Sequence, residues 1–207
     1  MNLYIALFAI GSYLLGAIPT GLVLARLFYA TDIRSGGSGN IGATNVARLL
    51  GRKLGALTLL GDGLKGFLPV YIGAQLFTGA GGGSDYLDLS IFGLAAFLGH
   101  LYPVYLKFKG GKGVATAFGV FAFLAPAALA LVLVLFVIIV AVSRYVSLGS
   151  LSTAALLPLL LIAGAYPLPV IGMGLCMGLL IFIKHKDNIQ RLLQGTENKQ
   201  GSALAPP

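Results

Sequence analysis

The chain has 207 residues, 57% of them hydrophobic and only 10% charged, with a formal net charge of +8. A soluble domain carries about 25% charged residues, so an ordinary water-soluble fold is excluded and an all-α, polytopic membrane protein is expected, a single domain over residues 1–197. A lone cysteine, Cys176, inside an apolar run excludes an intrachain disulfide and a cysteine-ligated zinc site.

The first apolar run, Leu3–Leu24, is too long for the core of a signal peptide. It lacks a basic leader and ends in bulky residues, so it reads as a retained span. A basic loop follows, with Arg26, Arg34, Arg48, Arg52 and Lys53. The second span, about Leu54–Phe77, holds Asp62 and Lys65. Each buried charge costs about 2.5–3.5 kcal/mol at a span centre, and a spacing of three places the two on one helix face, where they can pair. Such a pair either fixes the fold or touches a substrate. The next loop, "TGAGGGSDYLDLS", has only Asp85 and Asp88 as charges. Span three, about Tyr86–Leu106, carries His100 near its end, read as a structural residue, and leads into "KFKGGKG".

The stretch Val114–Val142 exceeds the about 20 residues that one crossing needs, and Pro126 within it breaks or kinks a helix. After "SRYVSLGS" come runs at about Leu148–Gly164 and Pro169–Ile183, divided by "AYPLP". The chain closes with "KHKDNIQRLLQGTENKQGSALAPP", and residues 198–207 read as a disordered tail of the kind an expression vector appends. Positive charge marks the cytoplasmic side. Every lysine and arginine except Lys65 falls on one face if Val114–Val142 crosses twice or dips in and returns. That gives about seven transmembrane helices, some short or broken, with the N-terminus outside and the C-terminus cytoplasmic.

Four segments on that face carry chemistry. In "SGGSGNIGATNVARLLGRK", Gly37 to Gly42 fits G-x-G-x-x-G, but a membrane helix precedes it instead of the strand a dinucleotide fold needs. The physics still transfers: glycines let backbone N–H groups approach an anion, and a helix start at "ATNVARLL" adds its dipole. Ser38, Asn40, Thr44 and Asn45 supply donors, and Arg48 a charged fork. In the second segment, three glycines surround Lys112 at a helix start, which suits a phosphate, although the frame of a P-loop is absent. "SRYVSLGS" adds Arg144 and Ser150. In the fourth, His185 and Asn188 share a helix face with Arg191.

Absences narrow the chemistry. Six acidic residues, scattered, form no two-metal cluster, which argues against a metal-dependent alcohol phosphotransferase. No G-x-S-x-G elbow is present. No H-x-x-x-x-D motif is present either, since Tyr105 and Gln190 stand at the Asp positions after His100 and His185. The basic residues are not interleaved with stacking aromatics, so no nucleic-acid partner is expected.

The segments "GSGNIGATN", "GHLYPVYLKFKGGKGVAT", "SRYVSLGS" and "HKDNIQRLLQGTE" resemble, in order, the signature segments of the bacterial acyl-phosphate:glycerol-3-phosphate acyltransferases, the PlsY family. The resemblance runs from span one to Glu197. It implies transfer of a fatty acyl group from acyl phosphate to the 1-hydroxyl of glycerol 3-phosphate, giving lysophosphatidic acid and inorganic phosphate. It also implies a bacterial inner membrane, a cytoplasmic site, and neither metal nor coenzyme. The enzyme that forms acyl phosphate is the implied upstream partner. On residues and resemblance together, Lys112 and His185 are the expected catalytic groups. Ser38, Gly39, Asn40, Thr44, Asn45, Arg48, Lys107, Gly111, Gly113, Ser150, Asn188 and Glu197 are the expected substrate contacts. The base is either His185 or the phosphate of glycerol 3-phosphate itself. The rival reading is a membrane transporter of a small phosphorylated anion, whose site belongs at the midplane.

Overall fold

A computed structural model describes residues 3–77 and 85–201. Residues 78–84 of the expected outer loop and residues 202–207 of the expected tail lie outside the described residues. Among the described residues, ten α-helices run in chain order: α1 Leu3–Gly16, α2 Thr20–Tyr29, α3 Ala43–Leu50, α4 Arg52–Leu76, α5 Tyr86–Leu101, α6 Val114–Leu124, α7 Pro126–Ser143, α8 Val146–Ala163, α9 Leu168–Lys184 and α10 Lys186–Leu193. Short 3-10 turns at Ile33–Ser35 and Val104–Leu106 sit in the two glycine-rich connections.

The first span departs from expectation. Leu3–Leu24 is not one helix but α1 and α2, bent by 42° at Ala17–Pro19. Pro19 offers no N–H and pushes its predecessor out of helical geometry. α2 then continues to Tyr29, so Arg26 lies in its last turn and not in a loop. The stretch Val114–Val142 does break at its proline, with Pro126 opening α7. α6, with 11 residues, is about 16 Å long against a hydrocarbon core of about 30 Å, so it reaches halfway. Among the described residues, three stretches are long and apolar enough to cross on their own, Tyr86–Leu106, Pro126–Ser143 and Val146–Ala163, and five if each bent pair counts as one span. A count of about seven needs α4, with its charges, and the short α6 as well.

Lipid gives helices no hydrophobic reason to associate, so close packing must do so. α4 and α6 meet backbone to backbone: a methyl at Gly66 would run into the Thr116 carbonyl, and one at Gly119 into the Gly63 carbonyl. Around this contact Phe92, Phe97, Phe121, Leu101 and Val120 form the fully buried centre. A second, smaller core of Leu22, Ala25, Ile33, Ile41, Val46 and Leu54 sits under the first glycine-rich loop. The expected Asp62–Lys65 pair is present, at 2.9 Å and buried. Cys176 is exposed on α9.

Candidate functional site

The first loop is organised around one side chain. Asn45, in the first turn of α3, is 2% exposed. Its amide nitrogen donates to the carbonyls of Ile33 (3.1 Å), Gly36 (3.3 Å) and Asn40 (2.9 Å). Its Oδ1 accepts from the Ser38 N–H at 2.9 Å and from Arg48 Nη1 at 3.4 Å. Gly37 and Gly39 have φ of 58° and 67°, in the left-handed region that glycine enters without strain. A side chain at Gly37 would also collide with Asn45 Oδ1. Asn40 Oδ1 accepts from the Gly42 N–H at 2.9 Å, closing the turn into α3. The loop therefore presents Ser38, Gly39 and Thr44 at its exposed surface, with Asn40 and Arg48 half-buried beside them. The Asn45 amide faces inward and holds this shape.

The second loop is held from outside itself. The Gly111 N–H donates to the His100 carbonyl at 3.0 Å. Gly113, with φ of 81°, starts α6 against Phe97 and Leu101. Between them Lys112 Nζ donates to Asn188 Oδ1 at 2.5 Å. Lys107 lies elsewhere, exposed, capping the turn Val104–Leu106 in a left-handed conformation.

Asn188 leads to the centre of the cluster. Its amide nitrogen donates to Glu197 Oε1 at 2.6 Å, so Oδ1 must face Lys112. Ser147 donates to the same Glu197 oxygen at 2.8 Å, and Arg191 Nε to Oε2 at 2.7 Å. The segment after α10 is pinned back over the start of α8: Arg144 Nη2 donates to the Gln200 carbonyl at 3.0 Å, and the Gln200 N–H to the Arg144 carbonyl at 2.7 Å. Ser147 and Arg191 were not among the expected contacts. Their signal was helical spacing: Ser147 lies three residues before Ser150, and Arg191 three after Asn188. Ser150 is buried and donates to the Val146 carbonyl of its own helix at 2.9 Å.

His185 stands at the 60° bend between α9 and α10 and is 2% exposed. Its Nδ1 lies 2.8 Å from the Ile181 carbonyl. A carbonyl only accepts, so Nδ1 carries the proton and Nε2 keeps its lone pair. Burial, and then the nearby Lys112 charge, push this imidazole down to about 4, against the opposing pull of the Ile181 carbonyl and Glu197. It is therefore neutral near pH 7. Burial pushes the Lys112 amine down to about 8; Glu197 and Asp187 oppose this, and Arg191 and Arg48 reinforce it. Burial alone would push the Glu197 carboxyl up, but Asn188, Arg191 and Ser147 outweigh it and hold the group below its usual range. Arg48 is lowered by burial, with Glu197 and Arg191 next in influence.

Arg48, Lys112, His185, Asn188 and Glu197, from three separate segments, thus share one electrostatic neighbourhood with Arg191 and with Ser147 of a fourth. It offers the cations Arg48, Lys112 and Arg191, a neutral imidazole with a free lone pair, and glycine-rich backbone, groups of the kind that can hold an anion. Among the described residues, no group of three or more His, Cys, Asp or Glu gathers as metal ligands do. An apolar seam lined by Val114, Phe118, Phe121, Leu157, Met177 and Ile181 lies next to these residues in sequence and is nearly closed, with about 10 Å³ of space.

The profile of a family described as glycerol-3-phosphate acyltransferase matches residues 6–195. A protein of Syntrophotalea carbinolica named glycerol-3-phosphate acyltransferase is 50% identical over 200 residues, covering 96% of this chain and 97% of the relative. One of Desulfotalea psychrophila with the same name is 52% identical over 192 residues, covering 92% and 95%. Among solved structures, the crystal structure of PlsY (YgiH), an integral membrane glycerol 3-phosphate acyltransferase, in its glycerol 3-phosphate form superposes with a TM-score of 0.88 at 42% identity, covering 96% of each chain. The lysophosphatidic acid form of PlsY superposes with a TM-score of 0.84 at 40% identity.

Proposed function

The chain belongs to the glycerol-3-phosphate acyltransferase family, and from that premise we propose that it transfers a fatty acyl group from acyl phosphate to the 1-hydroxyl of glycerol 3-phosphate. The observation that carries this reading is the convergence of Arg48, Lys112, His185, Asn188 and Glu197 from segments far apart in sequence. As an acyltransferase of phospholipid biosynthesis it works in the bacterial inner membrane. Its N-terminus lies outside, and the four segments lie at the cytoplasmic face, where their lysines and arginines gather.

The reaction needs no covalent enzyme intermediate, because acyl phosphate is already a mixed anhydride. The glycerol 1-oxygen bonds to the acyl carbon, the bond from that carbon to the phosphate oxygen breaks, and inorganic phosphate leaves. Both reactants are anions, so cations must stand between them. Lys112 and Arg48 supply this charge, and Arg191 stands behind Glu197. Fixed donors aimed at developing charge are worth about 2.7–4 kcal/mol each, and holding both reactants in line is worth about 7–11 kcal/mol. The backbone of the first loop, with Ser38, Gly39, Asn40 and Thr44, holds the acyl-phosphate head. Arg48, Lys112, Ser150, His185 and Asn188 hold glycerol 3-phosphate.

The hydroxyl proton goes to the phosphate of glycerol 3-phosphate, whose second pKa is about 6. An imidazole held at about 4 is the weaker base. Its Nε2 lone pair accepts the hydroxyl hydrogen bond and orients the nucleophile. No resident metal enters this scheme, because the cations take the role one would have.

The test is purified protein supplied with acyl phosphate and labelled glycerol 3-phosphate, with chelator present. Labelled lysophosphatidic acid and one equivalent of inorganic phosphate are expected. Absence of the lipid product, with glycerol 3-phosphate carried across proteoliposome membranes, would replace the enzyme by a transporter.

A further inference from the structure

The reading above uses four cytoplasmic segments and leaves aside a buried group deeper in the bundle. Asp62 and Lys65 of α4 are 2% and 4% exposed and pair at 2.9 Å. Lys65 Nζ also donates to the Ile18 carbonyl at 2.9 Å, within the break between α1 and α2. The same carbonyl accepts the Thr20 N–H at 3.0 Å, so Lys65 is tied to the turn that opens α2. On its other side, Asp62 Oδ1 lies 3.7 Å from Nδ1 of His100, itself 4% exposed on α5.

His100 in turn is the bed on which the second loop lies. Its carbonyl accepts the Gly111 N–H at 3.0 Å. A side chain at Gly111 would overlap the His100 imidazole at Nε2, and one at Gly110 would overlap the His100 carbonyl. The two glycines are needed because the loop backbone lies directly on this residue. The next residue is Lys112.

A path of neighbouring polar groups therefore runs from the break that launches α2, and with it the first loop, to the residue that supports the second; its Asp62–His100 step, at 3.7 Å, is a close approach and not a hydrogen bond. Its links are Ile18 carbonyl, Lys65, Asp62, His100 and the Gly110–Gly111 backbone. Inside a membrane protein, buried charges are costly and persist where function requires them. An ion pair used only to satisfy one carbonyl would not need to lie beneath the loop that carries the key cation.

We propose that His100, backed by Asp62 and Lys65, is a positioning residue for the reaction: it sets the height of the Gly110–Gly113 loop and so places Lys112 toward Asn188 and the glycerol-phosphate site. This rests on the assignment of Lys112 to glycerol 3-phosphate made above. His100 does not touch the substrate. It acts through Lys112.

The experiment is calorimetric binding of glycerol 3-phosphate to detergent-purified protein without acyl donor, paired with the turnover assay. His100→Ala weakens binding by about 10- to 100-fold, the scale on which misplacing a group by about 1 Å is felt. In a Lys112→Ala background, His100→Ala adds less than about twofold, because residues acting through one another are non-additive. A steric swap sharpens this. Gly111→Ala alone weakens binding, and in the His100→Ala background it weakens binding less, since the clashing ring has gone.

Unchanged binding by His100→Ala overturns the proposal. So does a full further loss in the Lys112→Ala background, which would mean general loosening of the fold. Wild-type protein that binds glycerol 3-phosphate but makes no lysophosphatidic acid removes the enzyme reading, while the binding cycle still decides the role of His100.

Discussion

The two glycine-rich loops solve the same problem in opposite ways. The first is shaped from within: Asn45, five to nine residues from most of its partners, ties Gly36, Ser38, Asn40 and Arg48 together over a small core of its own. The second has no such side chain. It lies on His100, and its Lys112 is oriented by Asn188, 76 residues further along the chain. A loop shaped by its own residues makes a fixed cradle. A loop shaped by its surroundings puts a charge wherever the packed bundle dictates, here at the junction of α6, α8 and α10.

The contrast can be broken most forcefully at its charge. Lys112→Ala is expected to lower lysophosphatidic acid formation by about 10²–10³-fold, as loss of a single charge-stabilising donor does, with thermal stability in detergent near wild type. A near-normal rate would end the layout proposed here.

Asn45→Ala strikes the other loop from inside. It leaves the Ser38 N–H and the carbonyls of Ile33, Gly36 and Asn40 without their partner, at a cost of about 2–3 kcal/mol. The expected signs are a lowered melting temperature and poorer binding of acyl phosphate. The Lys112 variant should keep its melting temperature, so the pair of measurements distinguishes a framework residue from a charge.

The third test uses pH. The Lys112 amine, held at about 8, keeps its charge below that value and loses it above. The rate constant kcat/KM for glycerol 3-phosphate should therefore fall on the alkaline side near pH 8. Glu197 raises this amine, so Glu197→Gln is expected to move the fall to lower pH. His185, already neutral above about 4, sets no limb in the physiological range. An acid limb near about 6, the second pKa of a phosphate monoester, should thus persist in His185→Asn, at a reduced rate. Its disappearance would return the role of base to the histidine.

The smallest effect separates a neighbouring charge from an engaged one. Lys107 is exposed and sits on a turn outside the Glu197 cluster, so Lys107→Ala is expected to change kcat/KM by no more than about twofold, the scale of a solvent-screened surface charge.

Much of this protein was legible in its sequence, because the signals were local. Apolar run lengths established helices in a membrane, Pro126 marked the break between α6 and α7, and "ATNVARLL" announced α3 after its glycines. The spacing of Asp62 and Lys65 foretold their pair, since a residue and the third after it share a helix face whatever else the chain does. The break at Pro19 was less visible: a single proline inside an apolar run either kinks a helix or is absorbed, as Pro69 and Pro158 are inside α4 and α8.

What only the tertiary structure decided is who meets whom. No spacing rule links Lys112 to Asn188, Ser147 to Glu197, or Lys65 to Ile18, because these pairs arise from packing between helices distant in the chain. The direction of Asn45, inward and not toward a ligand, was equally invisible, since an amide at a helix start serves either purpose. The sequence determined which chemical groups gather at one end of the bundle. The packing of α4 on α6 and of α1 on α5 through close backbone contacts, and the fold-back pinned by Arg144, determined how those groups face one another.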